Sequence, residues 1–185
     1  MNPVLPAKFG RIVEHLDFEE TMAAALLMAS ELPRRRRKGQ SYRSSDVKKK
    51  PDFSGLSRMR VFAVHGCKCC KCGLEGTEIL RTQDAGGGMH VDLFAVKDGV
   101  YQLLNRDHIL PASCGGQNHL WNLRPMCEKC NSSRGNEYTD EDRALFTYRL
   151  RWAQWGNRLF RWTPWLSDRT IYRLSSFLAH VVEFD

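Results

Sequence analysis

The chain holds 185 residues, room for one domain with extensions or for a small domain between two helical arms. Its composition, 42% apolar and 26% charged, is that of a globular protein. The net charge of +7 does not describe a uniformly basic surface, because residues 34–60 hold eleven Lys or Arg against two Asp and leave the rest of the chain slightly acidic.

Residues 1–33 are predicted to form an N-terminal helical arm. Asp17 is placed to cap a helix through FEETMAAALLMASEL, with Phe18, Met22 and Leu26 as its apolar stripe, and Pro33 stops it. The apolar run at 22–29 is too short to cross a bilayer, and its flanking Glu19, Glu20 and Glu31 do not suit a signal peptide. Residues 34–58 then read as an extended basic linker rich in Arg, Lys, Ser and Gly. Its Arg34, Arg35, Arg36, Arg37, Lys38, Lys48, Lys49 and Lys50 suit a phosphate-rich partner.

A helix is predicted over 57–64, followed by strands at 79–82 and 91–96. Asp98-Gly99 is a two-residue turn signal, and the strand VYQLLN after it completes a hairpin that carries Asp107 and His108 at its far end. Residues 139–185 are predicted to be helical. Thr139 to Asp142 forms a capping-box start, and Leu145, Tyr148, Trp152, Trp155, Leu159 and Trp162 recur at spacings of three and four, the pattern of a packed face. Pro164 interrupts this helix, and Ser167 is placed to cap a last one.

Seven cysteines are an odd number, and six of them fall in short clusters, which argues against a disulfide framework and for thiolate metal ligands in a reducing, cytoplasmic setting. Zinc favours a tetrahedron of soft ligands, and a Cys-x-x-Cys turn supplies two of them. Cys127 and Cys130 form one such pair. Upstream, both Cys67/Cys70 and Cys69/Cys72 have the spacing; Cys69 and Cys72 are preferred because Gly73 follows directly and can take the positive φ that the turn favours. The 54 residues between the pairs exceed a short zinc finger, so the expected Zn2+ is a structural clamp around a larger unit.

Hydrolysis of a phosphodiester needs an activated water and a metal that neutralises charge on the phosphate. Asp107 and His108 are adjacent at a strand end, so their side chains diverge and one can bind metal while the other faces water. Asn122 lies fourteen residues beyond His108, and Asn131 follows the second cysteine pair directly, where a bound zinc ion would hold it rigid.

These residues resemble the HNH endonuclease family. The resemblance rests on Asp107-His108-Ile109 with Pro111, Gly115-Gly116, Asn122-Leu123, and Cys127-x-x-Cys130-Asn131 with Arg134-Gly135, while Cys69-x-x-Cys72-Gly73 matches an upstream zinc knuckle. It covers roughly residues 59–137, and the segment GMHVDLFAVKDGVYQLLNRDHI looks like phage-encoded members. The resemblance implies an α+β protein with a ββα-metal domain at 59–138. It also implies His108 as general base, Asn122 as the residue that orders the loop and orients His108, and Asp107 and Asn131 as ligands of a catalytic Mg2+ or Mn2+. Asn131 stands where His is commoner, which favours a hard ion. The implied activity is nicking of DNA, with RNA as an alternative substrate. The C-terminal tryptophans offer a surface for a homodimer or a protein partner. Two rival readings are a non-catalytic, zinc-stabilised nucleic-acid-binding module and an assembly protein.

Overall fold

The computed structural model describes residues 2–30 and 56–161. The basic positions 34–38 and 48–50 and the helix predicted beyond 167 lie outside the described residues. A five-stranded antiparallel sheet runs in the order β1 (Arg11–Leu16), β2 (Glu78–Gln83), β3 (Met89–Lys97), β4 (Val100–His108) and β5 (Leu123–Cys127). Helices α1 (Phe18–Ser30) and α2 (Leu56–His65) fall between β1 and β2, whereas α3 (Glu128–Arg134) and α4 (Asp140–Arg161) follow β5. This is the mixed helix and antiparallel-sheet architecture expected from the sequence.

The sheet is covered on both faces. Ala25 of α1 and Met59 and Phe62 of α2 pack on Ile79, Val91, Leu93, Ala95 and Leu104. Leu80, Phe94, Tyr101 and Leu103 form a second cluster, closed by Leu5, Phe9 and Ile12 from the N-terminal segment. Phe9 meets the Phe94 ring edge-on at 5.3 Å. This double cover explains why β3 reads almost continuously apolar as VDLFAV instead of alternating. The one charge within that apolar run, Asp92, is 6% exposed and is paired at 2.7 Å with Arg58. Between β3 and β4, Asp98 and Gly99 both take positive φ, 53° and 72°, as the predicted turn requires.

The helical reading of the first seventeen residues is corrected. Ala7–Phe9 is a single 3-10 turn and Arg11–Leu16 is the edge strand β1. That strand has little alternation in burial, because one of its sides is open to solvent and its backbone bonds come from β2, a partner sixty-odd residues away. Val4 in turn borrows the start of β4 that β5 leaves unpaired, donating to the Gly99 carbonyl at 2.8 Å and accepting from the Tyr101 amide at 3.0 Å.

Helix α1 does begin after Asp17, whose Oδ1 accepts the Glu20 amide at 2.7 Å. Its packed stripe is Phe18, Met22 and Ala25, while Leu26 is 52% exposed. The small Ala25 side chain sits fully buried at this contact, where α1 lies against α2. A similar offset occurs in α4. The residues packed on the buried Trp121 are Phe146, Leu150, Trp152 and Ala153, and Trp155 remains 49% exposed. The apolar arc of α4 is wider than one stripe, and the part of it that meets Trp121 is the part turned inward. Among the described residues no helix is long and apolar enough to cross a membrane.

Candidate functional site

The chain from Cys67 to Gly76 folds back on itself, with the Cys69 amide donating to the Leu74 carbonyl at 2.9 Å and the Gly76 amide to the Cys67 carbonyl at 2.8 Å. Gly73 has φ +72° and donates to the Cys69 carbonyl at 2.9 Å, closing the turn between Cys69 and Cys72. The Cys70 amide bonds the Pro125 carbonyl of β5 at 3.0 Å, which carries this turn to the start of α3. As a result the thiols of Cys69, Cys72, Cys127 and Cys130 gather within 4.8 Å of one another. The Cys72 and Cys127 sulfurs are 3.7 Å apart, close to the ~3.8 Å edge of a tetrahedron built on zinc–sulfur bonds of about 2.3 Å. Of the two pairings that the sequence left open, the structure brings together the one containing Cys69 and Cys72. Cys67 instead packs against the α1–α2 core, and Cys70 is exposed.

The electrostatics of this cluster suit a cation. Burial pushes the Cys69 thiol up, but the surrounding backbone amides and the Cys72 thiol outweigh that and bring its pKa to about 6. Burial together with Cys127, Cys72 and Cys69 pushes Cys130 up to about 12. One thiolate forms readily and the next is resisted, as expected of four sulfurs crowded together without a positive charge among them. A metal ion such as zinc is the group this donor set can hold.

Beside the thiols, β4 delivers Asp107 and His108 to the end of the sheet, opposite Arg124 and Leu123 of β5. The loop between these strands is organised by Asn122, which is fully buried. Its Oδ1 accepts the Leu110 amide at 3.0 Å, and its Nδ2 donates to the Leu110 carbonyl at 3.1 Å and the Gln117 carbonyl at 2.9 Å. The Asn122 carbonyl also accepts the Ile109 amide at 2.8 Å. Asn122 therefore fixes the chain directly after His108. Gly116 must be glycine here, since a Cβ would lie 1.7 Å from the Leu110 carbonyl oxygen and 2.9 Å from Asn122 Nδ2.

Asp107 is 7% exposed and sits in a network of four charges. Arg134 of α3 donates through one nitrogen to its Oδ1 at 2.9 Å and its Oδ2 at 2.8 Å, and Arg124 Nε donates to Oδ2 at 3.2 Å. Asp142, in the first turn of α4, accepts from Arg124 at 2.5 and 3.1 Å and from Arg134 at 3.3 Å. Burial raises the Asp142 carboxyl, but the Arg124 and Arg134 guanidiniums and the Thr139 amide hold it below the usual carboxylate range. Arg134 additionally donates to the His108 carbonyl at 2.9 Å and the Ile109 carbonyl at 2.7 Å, tying α3 to the end of β4.

Asn131 lies in α3 directly after Cys130. Its side chain and the His108 ring are both partly buried and make no side-chain hydrogen bond among the described residues. Asp107 retains an acceptor direction as well. A carboxylate offers about four, and the three bonds from Arg124 and Arg134 leave one open on Oδ1. Oxygen donors from Asp107 and Asn131 are the chemistry a hard divalent cation takes.

Sequence reasoning gave no part to Arg124 or to the side chain of Asp142 beyond the capping box, and it used Arg134 only as a motif match. The register that sets Arg124 opposite Asp107, and the fold that brings α4 back to β5, leave no local signal. His90, on β3, pairs with Asp84 at 3.0 Å.

Four thiols placed to hold a metal ion lie beside a strand–loop–strand–helix unit that carries a buried acid and an imidazole with no side-chain hydrogen bond among the described residues, all within a mixed helix and antiparallel-sheet fold. Residues 97–145 match the family model described as HNH endonuclease, and it is this segment of the chain that is similar to that family. The match supports nuclease activity, a hydrolase function on a nucleic-acid substrate. No curated protein and no solved structure gave a match to the chain.

Proposed function

We propose that the protein is a metal-dependent DNA endonuclease whose ββα-metal core consists of β4, β5 and α3. The observation that carries the reading is the tie between α3 and the end of β4, in which Arg134 binds Asp107 and the His108 and Ile109 carbonyls within the family-matched segment. Asp107 and Asn131 hold Mg2+ or Mn2+, while Cys69, Cys72, Cys127 and Cys130 hold a structural Zn2+ that fixes α3 to the upstream turn. When bound, the divalent ion neutralises charge on the phosphate and on the leaving 3′ oxygen.

His108 accepts a proton from the attacking water as the water oxygen bonds to phosphorus and the bond to the 3′ oxygen breaks. The released 3′ oxygen takes a proton from solvent, so the products are a 5′ phosphate and a 3′ hydroxyl. Asn122 holds the backbone after His108 so that the ring is presented without rearrangement, and one such site cuts one strand. The basic positions 34–38 and 48–50 bind backbone phosphates of the same substrate. The domain spans residues 59–138, and the protein acts in the cytoplasm, that of the host if it is phage-encoded. The aromatic ladder of Tyr148, Trp152 and Trp155 on α4, with ring centroids 6.1 and 5.3 Å apart, offers a surface for a second copy or another protein.

The test is nicking of supercoiled plasmid by zinc-loaded protein with Mg2+ or Mn2+, beside His108→Ala. Nicking by the wild type and none by the folded variant is the expected result. DNA binding without nicking by either protein, under all metal conditions, would favour a non-catalytic nucleic-acid-binding module.

A further inference from the structure

We infer that Asp142, from the C-terminal helix, is a positioning residue for the divalent-ion site. It acts by dividing the charge and hydrogen bonds of Arg124 and Arg134 so that Asp107 keeps one acceptor direction free. The inference rests on the reading of Asp107 as an ion ligand.

Two guanidiniums face two carboxylates in a region largely shut from water, with Asp107 7% and Asp142 9% exposed. Arg124 gives both terminal nitrogens to Asp142 and only its Nε, at 3.2 Å, to Asp107. Arg134 is divided as well, with one terminal nitrogen on Asp107 and the other reaching Asp142 at 3.3 Å. Without Asp142, both cations would have Asp107 as their one carboxylate among these contacts. They would claim its remaining lone pair and leave a surplus positive charge where a dication must bind. In a buried site a neighbouring charge of this kind shifts ionic equilibria by about one to three decades.

Asp142 has a second role that must be separated from the first. Its amide donates to Thr139 Oγ1 at 3.1 Å, and its Oδ2 receives the Thr139 amide at 3.4 Å, a reciprocal cap at the start of α4. The cap sets where the carboxylate sits and thereby joins the register of α4 to the ion site. Asp142 also lies inside the family-matched segment, near its C-terminal end.

The experiment measures Mn2+ affinity of the full, zinc-saturated chain, by paramagnetic resonance of free Mn2+, for the wild type and for Asp107→Asn, Asp142→Asn, Thr139→Ala, Arg124→Gln and the Arg124→Gln/Asp142→Asn pair. Asp142→Asn keeps one acceptor oxygen for the cap, removes the charge and turns the other oxygen into a donor facing the guanidiniums. It should weaken Mn2+ binding about tenfold or more, and adding Arg124→Gln should restore much of the loss by removing the surplus cation. Thr139→Ala should lower thermal stability and leave Mn2+ affinity near wild type.

Wild-type affinity in Asp142→Asn would overturn the inference while leaving the nuclease reading intact. So would a double variant weaker than Asp142→Asn, or an equal loss in Thr139→Ala, since each assigns Asp142 a merely structural role. Should Asp142→Asn fail to fold, Arg124→Gln alone decides: tighter Mn2+ binding than wild type supports the inference, and unchanged or weaker binding overturns it. Wild-type affinity in Asp107→Asn would remove the ion from this site, and the reading of Asp107 as a ligand would fail with it.

Discussion

Arg134 grips both carboxylate oxygens of Asp107 through a single nitrogen, at 2.9 and 2.8 Å, while the same guanidinium bonds the two carbonyls that follow Asp107 in the chain. A single residue of α3 thus fixes the acid, the backbone of its neighbour His108, and the separation of helix and strand. Arg134→Ala should destabilise the fold by about 3–5 kcal/mol, the cost of leaving buried charge without its partner. Arg134→Lys should recover only part, since an ammonium lacks the planar fork that reaches both carboxylates and carbonyls. Thermal and urea unfolding of the zinc-loaded variants measures both; stability within about 1 kcal/mol of wild type in Arg134→Ala would contradict this account.

The two proposed metals should separate by mutation. Cys127→Ser removes one of four clustered thiols, so zinc content should drop and cooperative unfolding weaken or vanish. His108→Ala removes a partly buried ring with no side-chain bond among the described residues, and zinc content and DNA affinity should stay near wild type. Metal analysis and circular dichroism distinguish the two outcomes, and equal structural loss in both variants would mean that their roles are misassigned.

The loop beyond His108 should be unforgiving. Asn122→Ala deletes three buried side-chain hydrogen bonds and strands the Leu110 amide, an expected cost of about 2–4 kcal/mol. Gly116→Ala forces a methyl against the Leu110 carbonyl and should perturb the same hydrogen bonds. If Asn122 serves His108 through the backbone, both variants should lose nicking activity in proportion to local disorder. Amide exchange at Ile109 and Leu110 reports that disorder independently of activity.

His65 predicts a pH dependence of stability. Burial chiefly, with Arg149 nearby, pushes its pKa down from 6.5 to about 4, against a hydrogen bond between Nε2 and the Leu120 carbonyl at 2.9 Å. Between these values the unfolded chain binds a proton that the folded chain refuses. Stability should therefore be complete above about pH 6.5 and fall as pH drops toward 4, by roughly 3 kcal/mol at most. The difference between wild type and His65→Gln isolates this group from the acid lability of the thiol cluster. A difference that stays constant across the window would remove His65 as the cause.

The basic segment makes a prediction of another kind. With Arg34, Arg35, Arg36, Arg37 and Lys38 all changed to Gln, the dependence of log affinity for DNA on log salt should become shallower. Each phosphate that the segment no longer neutralises should reduce the slope by about 0.9. An unchanged slope would show that the cluster does not touch the backbone.

Much of the site was legible because its signals are local. Cysteine spacing with Gly73 selected the thiols that converge, the Asp98-Gly99 turn set the β3–β4 hairpin, and that hairpin placed Asp107 and His108 at a strand end. Residue type and short-range spacing suffice there because a turn or knuckle is decided by backbone conformation within a few residues. Tertiary structure decided what depends on distant partners. Arg11–Leu16 is a strand because β2 supplies its hydrogen bonds, and α4 turns Phe146, Leu150 and Ala153 inward because Trp121 waits there. The four-charge network likewise exists only once β5 sets Arg124 beside Asp107 and α4 returns with Asp142. Charges in the chain carry no record of which opposite charge will be buried against them; only folding removes the water that would otherwise make the choice indifferent.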